Sequence, residues 1–420
     1  MSDNRKRWDS SAIHQLSGDV DTDELYKRLE YSETVETRRR TAELLGNLAD
    51  TDLEYEEATL VQNLTNAVLT DDDVAVRARA INALYFHGDE YITELINEVA
   101  KSVRDGERTD DVTQFFLGWL DAEYPEFRMV AASALRRFGD ERVVPSLRNV
   151  FDDTDARVRA RAVRSYSLVD GSVRVEPIQS MLRDSAPRVR RAAATALGRI
   201  GTEDAVEGLV PAARASDEQL RRIAVEHLYQ LDTERAAKVL LQALSDRSRT
   251  VRSEALESLL RLVATGDSVR AAAVRDALIE DTGTPEPTDI VDVLRDVLAR
   301  ADRNDVRCHA VWLLGEFVGA VAGGDVRNAL VERLDDGDPV VADIAAAYLR
   351  QLEGEALEKR LRRLVQSDDT SLDGKERAAS ILEKIENDTA TRIEAMDIEY
   401  TYVSEPSDYT AKRTTDDVSE

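Results

Sequence analysis

One short pattern recurs at a fixed interval through the middle of the chain. An apolar residue precedes an arginine, an alanine follows at the third position after it, and a large apolar residue stands at the seventh. The arginines stand at equal intervals and are Arg128, Arg159, Arg190, Arg221 and Arg252. Apolar residues at these three positions share one helix face. A helix that recurs at such a period cannot bury its apolar face alone, so the pattern predicts an all-α stack of helical hairpins, a solenoid.

Weaker copies of the pattern extend the array in both directions. Arginines head the additional copies at Arg38, Arg77 and Arg307, whereas the last two copies are headed by Val341 and Lys375. These copies bring the predicted number of hairpins to about ten. A stack of this kind escapes the usual size limit of a globular core, so we expect one long domain.

Breaks in the pattern predict how the chain is divided. We expect a disordered segment over 1–18, the solenoid over 19–386 and a flexible tail over 387–420. Within the solenoid the regular 31-residue array spans about 121–265, between insertions at about 88–112 and 266–288 that each supply one more helix. In the tail, residues 398–403 alternate in the manner of a strand.

The charge of the chain restricts its partners. Its formal net charge is −27, and 48 of its 56 basic residues are arginine. Such an acid-rich, lysine-poor composition resembles that of cytosolic proteins of salt-loving archaea, in which high salt screens the self-repulsion. The alternative is an acidic mesophilic protein. Because a phosphate backbone would be repelled and no basic stripe is evident, we do not expect nucleic-acid binding.

Other features predict a cytoplasmic, monomeric protein without a metal centre or cofactor. Cys308 is the only cysteine, so neither a disulfide framework nor a multi-cysteine metal site is expected. Residues 1–18 lack the apolar core of a secretory signal. The longest apolar run, 311–324, contains Glu316 and is too short to span a bilayer.

The segment from Val189 to Gly201, Val-Arg-Arg-Ala-Ala-Ala-Thr-Ala-Leu-Gly-Arg-Ile-Gly, resembles the HEAT-like repeat of the phycobilisome-lyase type. The resemblance implies a right-handed α-α superhelix whose second helices line a concave face, and a function in docking proteins. HEAT-like hydroxylases hold iron on His-Glu pairs, but here Gln, Gly, Leu and Ala follow the four histidines. HEAT-like DNA glycosylases need a basic cleft, which the overall acidity opposes.

The repeated arginines are interpreted as structural. Because the arginine returns at one position of every inner repeat, we expect a ladder in which each guanidinium bridges a neighbouring turn through carboxylate or carbonyl acceptors. The aspartates in the turns before the second helices are expected to cap exposed N–H groups. They are Asp153, Asp184, Asp217 and Asp246.

Residues at the second, fifth and ninth positions after each ladder arginine are expected on the concave face. In the middle repeats they include Arg137, Arg161, Arg164 and Arg199, and in the next two repeats Glu226, Glu254 and Glu257. One interpretation is a docking surface that aligns a partner of complementary charge. The other is an ordinary solvated surface with internal ion pairs.

Trp312 occupies the fifth position after Arg307, with His309 and Glu316 at the second and ninth. An indole on a wet face would be a candidate hot spot for a partner. Alternatively, it packs under the neighbouring insertion. His309 and Glu316 alone do not predict a metal site or an acid–base pair.

These observations predict a non-enzymatic scaffold that binds cytosolic proteins on the concave face, with signalling or taxis assemblies as plausible clients. A bilin-lyase-like or cofactor-handling enzyme is the alternative. Bound cofactor in the purified protein would favour the enzyme, whereas a stoichiometric protein partner would favour the scaffold.

Overall fold

The computed structural model describes residues 22–50, 56–105, 111–169, 174–280, 287–319 and 324–391. Over this part of the chain it contains 22 α-helices and no strand, which confirms the all-α prediction. The predicted segment 1–18 and the strand-like residues 398–403 lie outside the described residues. The chain divides into two compact units, Met1–Ala196 and Leu197–Glu420.

Unit 1 contains five helical hairpins and one additional helix over the residues that the structure describes. Its helices are α1 (Thr22–Tyr31), α2 (Val35–Asn47), α3 (Glu57–Thr70), α4 (Val74–His87), α5 (Asp89–Asp105), α6 (Val112–Leu120), α7 (Pro125–Phe138), α8 (Val144–Asn149), α9 (Ala156–Tyr166), α10 (Val175–Met181) and α11 (Pro187–Ile200). The second helices pack in succession, α2 on α4, α4 on α7 and α7 on α9. Helix α5 lies in the first predicted insertion and packs against α4 and α7. The division between the units falls inside α11.

Unit 2 also contains five hairpins and one additional helix within its described ranges. Its helices are α12 (Glu203–Glu207), α13 (Glu218–His227), α14 (Glu234–Ala243), α15 (Arg249–Thr265), α16 (Ala271–Glu280), α17 (Pro287–Arg300), α18 (Asn304–Glu316), α19 (Asp325–Arg333), α20 (Pro339–Leu349), α21 (Glu355–Gln366) and α22 (Leu372–Thr391). The second helices α13, α15, α18, α20 and α22 pack each on the next. Helix α22 continues to Thr391, beyond the expected start of the tail at Asn387.

The apolar positions of the repeat form the core, as predicted. All five alanines at the third position are fully buried, and the residues before each arginine and at the seventh position are at most 4% exposed. The alanines are Ala131, Ala162, Ala193, Ala224 and Ala255. The small alanine allows the helices to approach closely, and burial of the larger side chains supplies the main stabilising free energy.

Glycine at the eighth position after a ladder arginine permits the closest approach. A Cβ on Gly198 would overlap the imidazole of His227, and one on Gly315 would overlap the ring of Tyr348. These rings come from the following second helix, so the glycines set the spacing between neighbouring hairpins.

Residues 114–120, an aromatic run in α6, belong to the core of unit 1. The Phe116 side chain is fully buried and its ring stacks on that of Phe138, with the centroids 6.1 Å apart. Trp119 meets Phe127 edge to face, with the centroids 4.8 Å apart. The run therefore joins α6 to the second helix of the same hairpin.

Candidate partner-binding site

A ladder arginine can contact two turns, the one before its own helix and the corresponding turn of the next repeat. Arg159 donates from Nη1 to the carbonyl oxygen of Asp153, in the turn before its own helix, at 2.8 Å. Its Nε and Nη2 donate to the two carboxylate oxygens of Asp184, in the next turn, at 2.8 and 2.7 Å. Asp184 Oδ1 also accepts the backbone N–H of Ala186 at 2.8 Å. One guanidinium thus links two successive turns.

The same two-pronged contact recurs in other repeats. Arg128 pairs in this way with Asp153, and Arg221 with Asp246, at 2.6 to 2.9 Å. Arg38 and Asp71 repeat it near the start of the array, at 2.7 and 3.0 Å. In these pairs the aspartate accepts an arginine fork, which is a different role from the helix cap expected from the sequence.

The other two inner repeats differ at the aspartate position. Arg190 donates to the carbonyl oxygens of Asp184 and Ser185, but alanine occupies position 215, where the neighbouring repeats place the aspartate of the fork. Arg252 donates to the carbonyl oxygen of Asp246 at 2.8 Å, and the second insertion follows its helix. The two-pronged contact therefore depends on the position of the aspartate as well as on that of the arginine.

Helix capping falls to residues closer to the helices. Asp155 accepts the N–H of Arg157 at 2.7 Å and Asp217 accepts that of Leu220 at 3.1 Å. Ser248 caps α15 in the same way. Of the four predicted caps, only Asp217 caps its helix. The other three lie too far before the first residue of the helix and accept hydrogen bonds from ladder arginines; they are Asp153, Asp184 and Asp246.

Unit 1 also contains a contact set that does not follow the repeat interval. Arg157 of α9 donates from Nη1 to Asn82 Oδ1 of α4 at 2.6 Å, and its guanidinium lies 5.7 Å from the centroid of the Tyr85 ring. Arg188 of α11 donates to the Tyr85 hydroxyl at 3.1 Å. Side chains from the second, fourth and fifth hairpins therefore meet on one face.

We call this the arginine–aromatic cluster. Its members are Asn82, Tyr85, Phe86, Asp89, Arg157, Arg161, Arg164 and Arg188. Arg161 is paired with Asp89, and Arg164 lies 4.0 Å from the same carboxylate. Phe86, the neighbour of Tyr85 at the end of α4, is 53% exposed. The cluster thus combines arginines that are held by protein partners with an exposed aromatic ring next to Tyr85, the two ring centroids lying 6.1 Å apart.

The acidic partners of Arg157 hold it in place. Its Nη2 lies 2.7 Å from Asp155 and 3.2 Å from the buried Glu126. The hydrogen bond to Asp155 raises the pKa of Arg157. Burial raises the pKa of Asp155, but the hydrogen bonds that it accepts from Arg157 outweigh burial, so its pKa is lowered. Both groups are therefore charged at neutral pH, and the guanidinium is fixed before any partner arrives.

The structure brings two of the predicted basic residues together. Arg161 and Arg164 share Asp89, and the Arg164 side chain is 49% exposed. Arg137 is exposed at the end of α7, with its guanidinium 5.6 Å from the centroid of the Phe138 ring. Arg199 is exposed but belongs to unit 2.

The predicted acidic residues of unit 2 lie among arginines. Arg222 Nη1 is 3.2 Å from Glu226 and 3.5 Å from Glu254, and Arg261 Nη2 is 2.6 Å from Glu257. Burial, followed by the charges of Glu226 and Glu257, raises the pKa of Glu254. The three glutamates therefore form ion pairs within unit 2, as expected of an ordinary solvated surface, and do not form a purely acidic patch.

Trp312 is not an exposed hot spot. Its residue is 2% exposed, because the fifth position of α18 faces the protein interior in this repeat. His309 is also buried, and its Nδ1 donates to the carbonyl oxygen of Asp305 at 2.8 Å. Glu316 accepts from the Tyr348 hydroxyl at 2.5 Å and pairs with Arg275 at 3.1 Å. These residues stabilise unit 2, and the indole is inaccessible to a partner.

The sequence patterns did not predict Tyr85, Phe86 and Arg188 as site residues. Phe86 stands nine positions after Arg77, and the ninth position is one of the three expected on the concave face. The pattern could therefore have identified Phe86. Arg188 precedes its ladder arginine by two positions, outside the positions considered. Nothing in the repeat period predicts that it reaches Tyr85, 103 residues away.

Neither a metal-binding group nor a membrane-spanning helix occurs among the residues that the structure describes. Within the described ranges, no three His, Cys, Asp or Glu side chains are grouped so that they could bind a metal ion. None of the helices placed by the structure has the length and apolar character needed to cross a membrane.

Comparison with known proteins gives matches of three kinds. A family model described as HEAT repeats matches residues 94–167, 175–260 and 206–285. The HEAT repeat-containing taxis protein of Halobacterium salinarum is 40% identical over 379 residues, which cover 90% of this chain and 91% of that protein. The crystal structure of an engineered protein aligns with 88% of this chain and 99% of its own, at 21% identity and a TM-score of 0.45.

Proposed function

The chain belongs to the HEAT repeat family, and from this premise we propose that it is a non-enzymatic adaptor that binds a cytosolic protein on the arginine–aromatic cluster of unit 1. The observation that carries the proposal is a set of arginines already held by Asn82, Tyr85 and Asp89, together with the exposed Phe86 ring, whose centroid lies 6.1 Å from that of Tyr85. Aromatic residues and arginines dominate the binding energy of many interfaces. Side chains fixed in advance lose less conformational entropy when a partner binds.

We place this adaptor in a taxis or signalling assembly. The support is the taxis protein of Halobacterium salinarum, whose similarity extends over nine-tenths of both chains. The charge of −27 supports a haloarchaeal cytoplasm, where salt screens the self-repulsion of the chain and a monomer stays soluble. The short interval between the ladder arginines supports assignment of these repeats to the HEAT-like subclass found in phycobilisome lyases.

A charge reversal in the cluster tests the proposal. Arg164 and Arg188 are exposed, so R164E/R188E should leave the fold intact while reversing two charges at the docking surface. Affinity capture at molar salt should recover a stoichiometric protein partner with the wild-type chain and at least about tenfold less with the variant.

The matched control reverses two exposed arginines of unit 2, in R235E/R270E, which changes the net charge equally. Capture should be retained by this control. Equal loss in both variants would show a dependence on total charge and contradict the site. A coloured or cofactor-bound protein that recovers no partner would favour the bilin-lyase-like alternative.

A further inference from the structure

Exposed apolar side chains are concentrated at one edge of unit 1. Among the described residues, six large apolar residues are exposed, and four of them lie in the first two hairpin turns. They are Tyr31 at 71%, Val35 at 40%, Leu69 at 36% and Val74 at 41%. We call these four residues the N-terminal edge. Exposed apolar groups that gather in one place indicate a binding surface more strongly than scattered ones.

One arginine holds the two turns side by side. Arg38 donates to the carbonyl oxygen of Ser32, next to Tyr31, at 2.8 Å. It also donates to both carboxylate oxygens of Asp71, between Leu69 and Val74. The two turns that carry the four apolar side chains are therefore adjacent, and a two-pronged ion pair fixes their spacing.

Within unit 1, a valine at the start of the second helix is confined to the first two hairpins. Val35 and Val74 are the first residues of α2 and α4. The same position in the later hairpins of unit 1 is occupied by residues with less apolar surface, namely Pro125, Ala156 and Pro187. Since the repeat itself does not require valine here, the exposed valines need another explanation.

The size and charge of the edge favour a tethered occupant. Four side chains are far fewer than the roughly 20 to 30 residues on each side of a stable interface between free proteins, which buries about 800 Å² per partner. A segment of the same chain binds at a high effective concentration, so a small surface suffices. The edge is rimmed by exposed carboxylates of Glu30, Glu33 and Asp72, which favours a basic occupant.

We propose that residues 1–21 of the same chain dock on the N-terminal edge. This segment has three basic and four acidic residues, but its bases form one run with an aromatic residue, Arg5-Lys6-Arg7-Trp8, and that run suits an apolar surface with an acidic rim. The chain from Trp8 to Thr22 can span about 45 Å, whereas α1, whose last residue is Tyr31, is only about 15 Å long. The segment after α22, residues 392–420, has eight acidic and three basic residues, so the rim would repel it.

Disulfide formation between two introduced cysteines tests the docking in the full-length chain. S10C places a thiol two positions after Trp8, and T34C places one on the exposed edge beside Val35. The native Cys308 is buried and burial raises its pKa to about 12, so it should not compete. With oxidised glutathione as the oxidant, we expect an intramolecular disulfide between the two thiols, and V35D/V74D should slow its formation by about tenfold, because the docked population is lost.

A control with two aspartates introduced elsewhere distinguishes the effect of losing apolar surface from the effect of adding negative charge. Gln62 and Asn66 are exposed on α3, so Q62D/N66D adds the same charge without altering the edge and should leave the disulfide rate unchanged. Helicity of all variants is checked by circular dichroism. Equal rates with and without V35D/V74D would overturn the proposal, and so would a disulfide that forms mainly between two molecules, which would assign the edge to a second copy. Neither result bears on partner capture by the arginine–aromatic cluster.

Discussion

The ladder and the arginine–aromatic cluster use the same residue type in opposite ways. In the ladder, Arg221 is 5% exposed and donates to Asp246 and two backbone carbonyls. In the cluster, Arg188 is exposed and donates to the Tyr85 hydroxyl. A guanidinium whose donors are used inside the fold stabilises the fold. One that is positioned but still exposed can receive a carboxylate from another protein.

We therefore interpret contacts that recur in every repeat as structural, and contacts between distant repeats as candidates for function. The ladder recurs because every pair of neighbouring turns presents the same problem, namely carbonyl groups that need donors. The cluster occurs where side chains of α4, α9 and α11 meet. If this contrast holds, substitutions in the ladder should affect stability most and substitutions in the cluster least.

The ladder should be most sensitive at a complete, buried pair. R221A removes the fork from Asp246 and leaves a carboxylate that is 11% exposed without this partner. Because breaking a buried ion pair leaves an uncompensated charge, we expect a loss of about 3 kcal/mol in the free energy of unfolding. Urea unfolding measures it. R252A, which removes a hydrogen bond to the carbonyl of Asp246, should cost about 1 kcal/mol, and equal losses would show that the aspartate is unimportant.

The repeat glycines should be the next most sensitive positions. G198A forces a methyl group into the imidazole of His227, so we expect a loss of about 2 kcal/mol from overpacking. Gly118 lies in α6, where an added Cβ would have nothing within 4 Å, and G118A should instead gain about 0.5 kcal/mol through helix propensity. Thermal unfolding of the two variants compares them. A stabilised G198A would contradict the close approach of neighbouring hairpins.

Acid should weaken the ladder, because its aspartates become protonated while the arginines stay charged. Burial raises the pKa of Asp246, but hydrogen bonds from Arg221 and the N–H of Ser248 outweigh it, so the pKa is lowered. Its stabilising contribution is therefore present above the unfolded aspartate pKa of about 3.9 and is lost as pH falls through the lower folded value. Chemical unfolding as a function of pH should show this loss below about pH 4. D246N should be less stable at neutral pH and show a flatter acid dependence; an unchanged slope would contradict the assignment.

Changes in the cluster should have the smallest effect on stability. F86A and R188E alter exposed side chains, so each should change the free energy of unfolding by less than about 0.5 kcal/mol. Differential scanning calorimetry provides the measurement, with R221A as the destabilised reference. A large loss in either variant would mean that the cluster is part of the structural framework.

The fold was largely predictable because it depends on local periodicity. In the five inner repeats, from Phe127 to Leu259, three positions are buried as the helix period requires. They are the position before the ladder arginine and the third and seventh positions after it. The ten predicted hairpins are present among the described residues. Trp312 shows the limit of periodicity, because the face expected to be wet is buried in α18.

The candidate site was less predictable because it depends on contacts between distant repeats. Arg161 and Arg164 were predicted from their positions, but their common partner Asp89 comes from the first insertion. Tyr85 and Arg188 are 103 residues apart, and no periodic pattern brings them together. Asp217 caps its helix as predicted, but the other three turn aspartates accept an arginine fork, because sequence spacing does not distinguish a helix cap from the acceptor of such a fork.

Site-specific photo-crosslinking tests the central claim most directly. A benzoylphenylalanine at position 86, which is 53% exposed, samples the cluster, and one at position 235, an exposed position on α14 of unit 2, serves as the matched control. In the native cells, irradiation should yield a discrete protein adduct from position 86 that is lost on adding R164E/R188E, and none from position 235. The same adduct from both positions, or its persistence in R164E/R188E, would contradict docking at the arginine–aromatic cluster.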